Sequence, residues 1–523
     1  MSNNNIHPRD SHGQILKSSS ILSLGTLSSR ILGFFRDIIL AKLLGTSFQA
    51  DAFFVALKIP NLFRSFVGEG ATNAAVVPVF SEFQAKQTRE EFWRFVMVVL
   101  VLAFTVLGAL TLLGILLAPL IVRIIAPGFL ADPQKLQLTV KLTRLMFPYL
   151  VLIGLTAYSM AVLYAFRSFK VPAFSPCLFN IAVIAGAWLS PRWLAEPVYG
   201  LGISVVAGGL LQLLVYLRPL RRLGMRWRRP ETLRHPGAAK IGQLLMPRLL
   251  GAGVYQLTVF IDTFCASLAF IVGAGGISAI YYANRIIQFP MGLFSVALAS
   301  AALPALSGLF AASDMGQFKK TLVFSLKNVF YIIIPTTVLA MLLAAPVIRV
   351  LFQRGEFGAY STMITASALF FYAAGLFSFA GIKILVSAFY ALQDTKTPVK
   401  VAALCLVINT LLNFVLMFPM GIGGIALASS LAATVDFFIL YHLLEKRLGP
   451  MDPGLRRFIG RVLLAGAVMA WVVYLSWRMM PIQLEWLKLI LAGVEGFLVY
   501  GMVTGGLKIE QTQQIWRWIL KRK

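Results

Sequence analysis

The sequence predicts an all-α polytopic membrane protein, and three observations carry that prediction. Of 523 residues, 59% are hydrophobic and only 13% charged, with a mean hydropathy of +0.81, a balance that excludes an ordinary soluble domain. Apolar stretches long enough for the about 20 residues of a bilayer-crossing helix recur along the whole chain. The second half also repeats landmarks of the first at an offset of about 226 residues.

Fourteen transmembrane helices are expected, at 18–45, 50–83, 92–125, 136–166, 172–190, 197–217, 241–272, 277–311, 321–353, 361–392, 398–418, 421–446, 457–478 and 484–507. Several exceed the minimum span, which implies tilt or protrusion. Pro60, Gly68, Gly70 and Pro78 in the second segment, and Pro290, Gly292 and Pro304 in the eighth, predict kinks or breaks. Residues 1–17 read as a polar tail, and no short apolar run with a small-residue cleavage site follows residues 1–13, so no removable signal peptide is expected.

The net charge of +27 would suggest nucleic acid in a soluble protein. Here the cations sit mainly in short loops, so they read as topology signals and no nucleic-acid partner is expected. Alternate connections hold Lys86, Arg89 and Arg94; Arg167 and Lys170; Lys319 and Lys320; Lys396 and Lys400; and the run from Lys446 to Arg461. The intervening connections hold few, such as Arg192, Arg354 and Arg478. This asymmetry places both termini in the cytoplasm. The basic loop 218–240 carries Arg221, Arg222, Arg226, Arg228, Arg229 and Arg234, a topology determinant that also suits anionic lipid head groups.

The internal repeat sets the domain plan. Ala118-Pro119 with Arg123 answers Ala345-Pro346 with Arg349. Tyr164-Ala165 with Lys170 and Pro172 answers Tyr390-Ala391 with Lys396 and Pro398. Pro78 answers Pro304, and Asp37 answers Asp262. Six segments and six segments of the same sense make a parallel pseudo-two-fold repeat, an arrangement seen in transporters. The expected plan is an N-lobe at 18–217, the loop 218–240, a C-lobe at 241–446, an added helix pair within 447–507 and a basic tail at 508–523.

Charges at membrane depth mark function, because an arginine at a helix centre costs roughly 2.5–3.5 kcal/mol on insertion scales. Arg30 and Arg36 lie in the first segment, with Gly33 between them on one broad, slanted strip. Two readings fit Arg36: it faces a cavity, or it pairs with Asp37. Lys58 and Arg64 lie in the second segment and Arg285 in the eighth. Asp37, Asp51 and Glu69 are too few to neutralise them, and the surplus suits an anionic substrate, phosphate above all, with a structural ion-pair network as the other reading of the set. In the C-lobe, Asp262 shares the apolar region with Asn409 and Asn413, four apart on one helix face, and with Ser429 and Ser430. That set suits either a small hard cation such as sodium or hydrogen bonding between helices. Cys177, Cys265 and Cys405 lie in apolar segments and the four histidines in the tail, a loop or a helix end. There is no disulfide or metal-ligand spacing, and no HExxH, GxSxG or paired-carboxylate motif, so an enzyme is not expected.

The run Ser29-Arg30-Ile-Leu-Gly33-Phe-Phe-Arg36-Asp37 resembles the MurJ (MviN-type) lipid II flippases of the multidrug/oligosaccharidyl-lipid/polysaccharide exporter superfamily. So do Asp51-Ala-Phe-Phe-Val-Ala-Leu-Lys58-Ile-Pro60-Asn61, Glu69-Gly70-Ala, and Tyr281-Tyr282-Ala-Asn284-Arg285 with Phe289-Pro290. The resemblance implies a bacterial inner-membrane protein that carries lipid II, an undecaprenyl-diphosphate-linked disaccharide-pentapeptide, to the periplasmic leaflet in peptidoglycan synthesis. It implies substrate-binding roles for Arg30, Arg36, Arg64, Arg285 and Asp51, with Ser29, Lys58, Asn61 and Glu69 in the same motifs, and a lipid-tail groove at the last two helices. It implies no organic cofactor, and a sodium site at Asp262, Asn409, Asn413, Ile425 (by its carbonyl) and Ser429. Membrane lipids and cell-wall synthesis proteins are the further partners it suggests. Two departures stand out: Asn284 and Gln288 replace acids that some relatives carry, and Asn413 replaces a carboxylate of a sodium-binding relative. The mechanism it implies is alternating access. The competing readings are a flippase of another polyprenyl-diphosphate glycan and a drug or cation antiporter, the latter disfavoured by the arginine surplus.

Overall fold

A computed structural model describes residues 8–64, 71–227, 230–452 and 454–520. Among these residues the secondary structure is helical throughout, with no strand. This is what a bilayer demands of an open chain, since a helix satisfies its own backbone groups where water is absent. The chain divides into two compact units, Met1–Gln256 and Leu257–Lys523.

The first unit holds α1 (Pro8–Leu44), α2 (Phe48–Arg64), α3 (Ala71–Lys86), α4 (Arg89–Ile125), α5 (Pro133–Met146), α6 (Tyr149–Ala165), α7 (Lys170–Trp193), α8 (Pro197–Arg222) and the start of α9 (Pro236–Ser267). Polar caps start helices where the sequence supplies them. The Thr88 hydroxyl accepts from the Glu91 amide at α4, and the Asp132 carboxylate accepts from the Gln134 and Lys135 amides at α5, just before Pro133. Phe80, Phe92, Phe95, Val96, Leu150, Tyr216 and Ile241 meet in the buried core.

The second unit continues α9 and adds α10 (Ala269–Val272), α11 (Gly276–Pro290), α12 (Val296–Ala311), α13 (Met315–Leu342), α14 (Ala344–Phe352), α15 (Ala359–Ala374), α16 (Leu376–Ala391), α17 (Lys396–Met420), α18 (Ile422–Leu448), α19 (Gly454–Met479), α20 (Glu485–Gly506) and α21 (Glu510–Leu520). A single π turn, Met291–Ser295, joins α11 to α12 just after Pro290, in the eighth predicted segment. The break expected around Gly68 and Gly70 lies outside the described residues. Gly421, at φ +55°, turns α17 into α18. Gly424 then lets α18 come so close to α17 that any side chain there would strike the Leu416 carbonyl.

The repeat is visible in which helices touch. In the first unit α7 packs on α8, α6 on α8, α3 on α6, α2 on α5 and α4 on α6. The second unit matches this with α17 on α18, α16 on α18, α12 on α16, α11 on α15 and α13 on α16. The added helices α19 and α20 pack on each other and on α13.

Helices occupy all fourteen expected segments, but the expected count of spans is not reproduced in full. Ten helices among the described residues are long and apolar enough to cross a membrane, or eleven if the pair α15–α16, bent by 44°, is one span. The segments missing from the ten are 18–45, 50–83, 241–272 and 361–392. The first carries Arg30, Arg36 and Asp37, and residues 65–70 of the second lie outside the described residues. The boundary between units also differs from the predicted start of the C-lobe at 241. The opening of α9 packs on the first unit, where His235 stacks on Phe95 at 4.6 Å, Lys240 pairs with Glu82 at 2.6 Å, and Ile241 joins the core.

Candidate functional site

In the first unit, α1 lies against α7 so closely that a side chain at Gly25 would meet the Ala173 carbonyl. This brings Asn180 of α7, buried in the contact, to the polar stretch of α1. Its amide nitrogen donates to the Ser29 carbonyl at 3.0 Å, and its amide oxygen accepts from Arg36 Nη1 at 3.0 Å. Arg36 Nε and Nη2 both donate to Asp37 Oδ1, at 3.0 and 2.8 Å. Arg36 and Asp37 are 7% and 1% exposed, so this is a buried pair.

Arg30 differs. Steps of 100° per residue place it about 120° around the helix from Arg36, at the other edge of the strip. It is exposed between exposed Leu27 and Ile31, and among the described residues it has no hydrogen-bond or ion-pair partner. Gly33, between the two arginines, faces Asn180.

Asp51, in the first turn of α2, accepts a 2.7 Å ion pair from Lys135 of α5, and Lys135 also stands over the Phe129 ring at 4.3 Å. Both partners are buried. The charge balance drawn from sequence left Lys135 out, because it lies one residue before the predicted segment 136–166. Lys58 and Asn61 are half-buried on α2. The Arg64 side chain and Glu69 lie outside what the structure describes.

In the second unit, half-buried Arg285 donates Nη2 to the Tyr281 hydroxyl at 2.9 Å and stands 5.0 Å from that ring. The polar set predicted around Asp262 closes into a ring across α9, α17 and α18. Asn413 Nδ2 donates to Asp262 Oδ1 at 2.9 Å and to Asn409 Oδ1 at 3.2 Å. Asn409 Nδ2 donates to Ser429 Oγ at 3.3 Å, and Ser429 Oγ donates to Asp262 Oδ2 at 3.2 Å. Ser430 stands outside the ring, donating to the Phe371 carbonyl at 2.7 Å. Ile425, fully buried, lies one turn before Ser429. Asn413 Oδ1 is enclosed and has no hydrogen-bond partner among the described residues. One carboxylate, neutral oxygen donors and an orphaned buried amide oxygen fit a small monovalent cation better than a divalent one. No group of three His, Cys, Asp or Glu occurs among the described residues.

The family model described as "Lipid II flippase MurJ" matches residues 40–493. The chain belongs to the MurJ family. The probable lipid II flippase MurJ of Buchnera aphidicola subsp. Acyrthosiphon pisum is 36% identical over 469 residues, covering 90% of this chain and 91% of the relative. The lipid II flippase MurJ of Burkholderia cenocepacia is 36% identical over 468 residues, covering 88% and 90%. Among solved structures, lipid II flippase MurJ in an inward closed conformation superposes with a TM-score of 0.81 at 26% identity, covering 94% of this chain and 99% of that one. An inward-facing multidrug resistance MATE transporter of the MOP superfamily reaches 0.66 at 14% identity and shares the fold. MurJ membership therefore agrees with the family that the α1 and α2 motifs resemble.

Sequence reasoning missed Asn180 and Lys135. Asn180 had a signal: it lies on α7, whose partner in the repeat, α17, carries the two asparagines that were singled out.

Proposed function

We infer that the chain is a lipid II flippase, a multi-pass membrane transporter that moves the undecaprenyl-diphosphate-linked peptidoglycan precursor from one leaflet to the other. Family membership supports the substrate. Arg30 is the observation that carries the chemistry: an exposed guanidinium on α1 between exposed Leu27 and Ile31, with no counter-charge among the described residues. A diphosphate supplies the charge that such a group lacks, and its oxygens match the guanidinium fork.

In this reading Arg30 is a direct phosphate ligand, and Arg285 keeps the substrate-binding role that the family resemblance implies. Lys58, Asn61 and Arg64 on α2 are further ligands on the same chemical ground. Arg36, held by Asp37 and Asn180, acts through α1 by fixing its rotation and hence the direction of Arg30. Asp51, bound to Lys135, holds α2 to α5. Alternating access carries the head group while the tail stays in lipid. Both termini are cytoplasmic and the membrane is the bacterial inner membrane. Each negative charge carried outward across an inside-negative membrane gains roughly 2.3 kcal/mol per 100 mV, which favours export.

The Asp262 ring is the proposed sodium site, with Asp262, Asn409, Asn413, Ser429 and the Ile425 carbonyl as its oxygen set. A bound sodium ion would neutralise Asp262 and tie α9, α17 and α18 together. No organic cofactor enters this reading.

The test is made in cells depleted of their own lipid II flippase, by measuring the fraction of lipid-linked precursor exposed on the outer leaflet. Wild type restores exposure, and Arg30→Ala at equal membrane abundance does not. Restoration by both would remove Arg30 from the site. Restoration by neither, in a compatible host, would redirect the search to another polyprenyl-diphosphate glycan.

A further inference from the structure

A second carboxyl lies in the second unit, outside the sodium ring. Asp436 sits midway along α18, seven residues beyond Ser429. Seven residues are two helical turns, so Asp436 shares the Ser429 face about 10 Å further along the axis. The residues between them on that face, Ala432 and Ala433, are small and buried, and Phe437 and Leu440 are buried beyond. Asp436 Oδ1 is itself enclosed and has no hydrogen-bond partner among the described residues.

Among the described residues no cation forms an ion pair with Asp436. Cys405 of α17, one turn before Asn409, is the titratable group that faces Asp436. Lys383 on α16 and Lys396 and Lys400 on α17 are exposed, and Arg285 on α11 is engaged with Tyr281. Asp436 is half-buried, and an ionised carboxylate with one oxygen so enclosed, within a helix apolar enough to span a membrane, is disfavoured. A hard metal ion does not relieve it, because such an ion takes several oxygen ligands and this carboxyl stands apart from the ring. A proton needs only the carboxylate.

We propose that Asp436 is a proton-carrying site of the transport cycle, protonated while enclosed and returned to water in another conformation of the second unit. The exchange is a simple transfer. A hydronium ion gives its proton to the carboxylate and leaves as water, and the reverse step regenerates it, with no change of oxidation state. The ring and Asp436 then serve different ions, sodium on a set of oxygens and a proton on a single acid. The proposal rests on the transporter reading, and part of its test does not.

That part is infrared spectroscopy of the full chain in lipid at neutral pH, comparing wild type with the isosteric Asp436→Asn. A protonated-carboxyl band present in wild type and missing from the variant is expected. Carboxylate bands in its place would overturn the proposal whatever the substrate is. The second part measures lipid II translocation in vesicles under an imposed pH gradient with the membrane potential clamped to zero. The wild-type rate should change several-fold with the direction of the gradient, Asp436→Asn should ignore it, and Asp436→Glu, which keeps the acid, should recover it. Equal responses from wild type and Asp436→Asn would overturn the coupling. Absence of translocation in every variant would count against the flippase reading, while the infrared result still decides Asp436.

Discussion

Asp37 and Asp262 hold corresponding places in the two repeats, yet their described neighbours differ. The residue before Asp37 is Arg36, and the residue before Asp262 is Ile261. Arg36 folds back on Asp37 at 2.8 Å and cancels its charge. Asp262 receives an amide from Asn413 and a hydroxyl from Ser429, both neutral. Both acids are reached by asparagine from the helix that begins the next matched pair, Asn180 on α7 through Arg36, and Asn413 on α17 directly. One scaffold position thus has different described partners in the two units, an adjacent guanidinium in the first and an amide and a hydroxyl in the second.

The most severe way to break the comparison is Arg36→Ile, which gives the first unit the neighbour that Asp262 has. Asp37, 1% exposed, would keep its charge and lose the Arg36 guanidinium. Breaking a buried pair on one side costs about 3–5 kcal/mol, so a large loss in unfolding free energy is expected, together with loss of precursor exposure in depleted cells. Adding Asp37→Asn should recover much of the stability but not the transport. If the double variant transports, Arg36 does not set the direction of Arg30.

Lys135→Met tests the same physics where no repeat partner is involved. Asp51, buried at the start of α2, would lose its Lys135 ion pair, at a cost of about 3 kcal/mol, the low end of that range. Denaturant unfolding of the single variant against Lys135→Met with Asp51→Leu checks this, because removing both charges should be nearly neutral. Equal destabilisation by both would mean that packing around Phe129, and not the ion pair, holds α2 to α5.

These two sites also show what could be read in advance. Helices were legible because apolar runs of bilayer length leave little else to form, and the repeat was legible from proline and lysine landmarks. The ring around Asp262 was legible because Asn409 and Asn413 stand four apart on one face. What escaped were partners set by packing. Asn180 lies 144 residues from Arg36 and Lys135 lies 84 from Asp51, and no local pattern announces such pairs. The start of α9 escaped for a related reason: Ile241 looks like the first residue of a new lobe, but its neighbours Phe83 and Phe95 belong to the old one.

The converse substitution, Ile261→Arg, gives the second unit the neighbour that Asp37 has. An arginine beside Asp262 would neutralise it and occupy the ring. Sodium at a hundred times its dissociation constant would stabilise wild type by about 2.7 kcal/mol. That increment, read as a sodium-dependent rise in melting temperature, should vanish in Ile261→Arg and in Asp262→Asn. Wild type with no sodium response would return the ring to its other reading, hydrogen bonding between helices.

The smallest effect tests whether the two units also differ at their loops. In the first unit, the turn after α6 has Arg167 where the second unit has Gln393, both at positive φ, and only the second unit follows it at once with an acid, Asp394. The Thr397 amide donates to Asp394 at the start of α17, and the Thr397 hydroxyl and Arg447 add to it, so the carboxyl is held below the ordinary aspartate range. A carboxyl lowered on folding stabilises above its unfolded value of about 3.9 and loses that contribution as pH falls through the lower folded value. The pair with Arg447 is partly exposed, so its share is under about 1 kcal/mol. Asp394→Asn should therefore lower the melting temperature slightly at neutral pH, and the gap to wild type should close as the solution is acidified below about pH 4. A gap that persists in acid would mean that the substitution acts through the geometry of the turn, and that the charge of Asp394 contributes nothing to the difference between the loops.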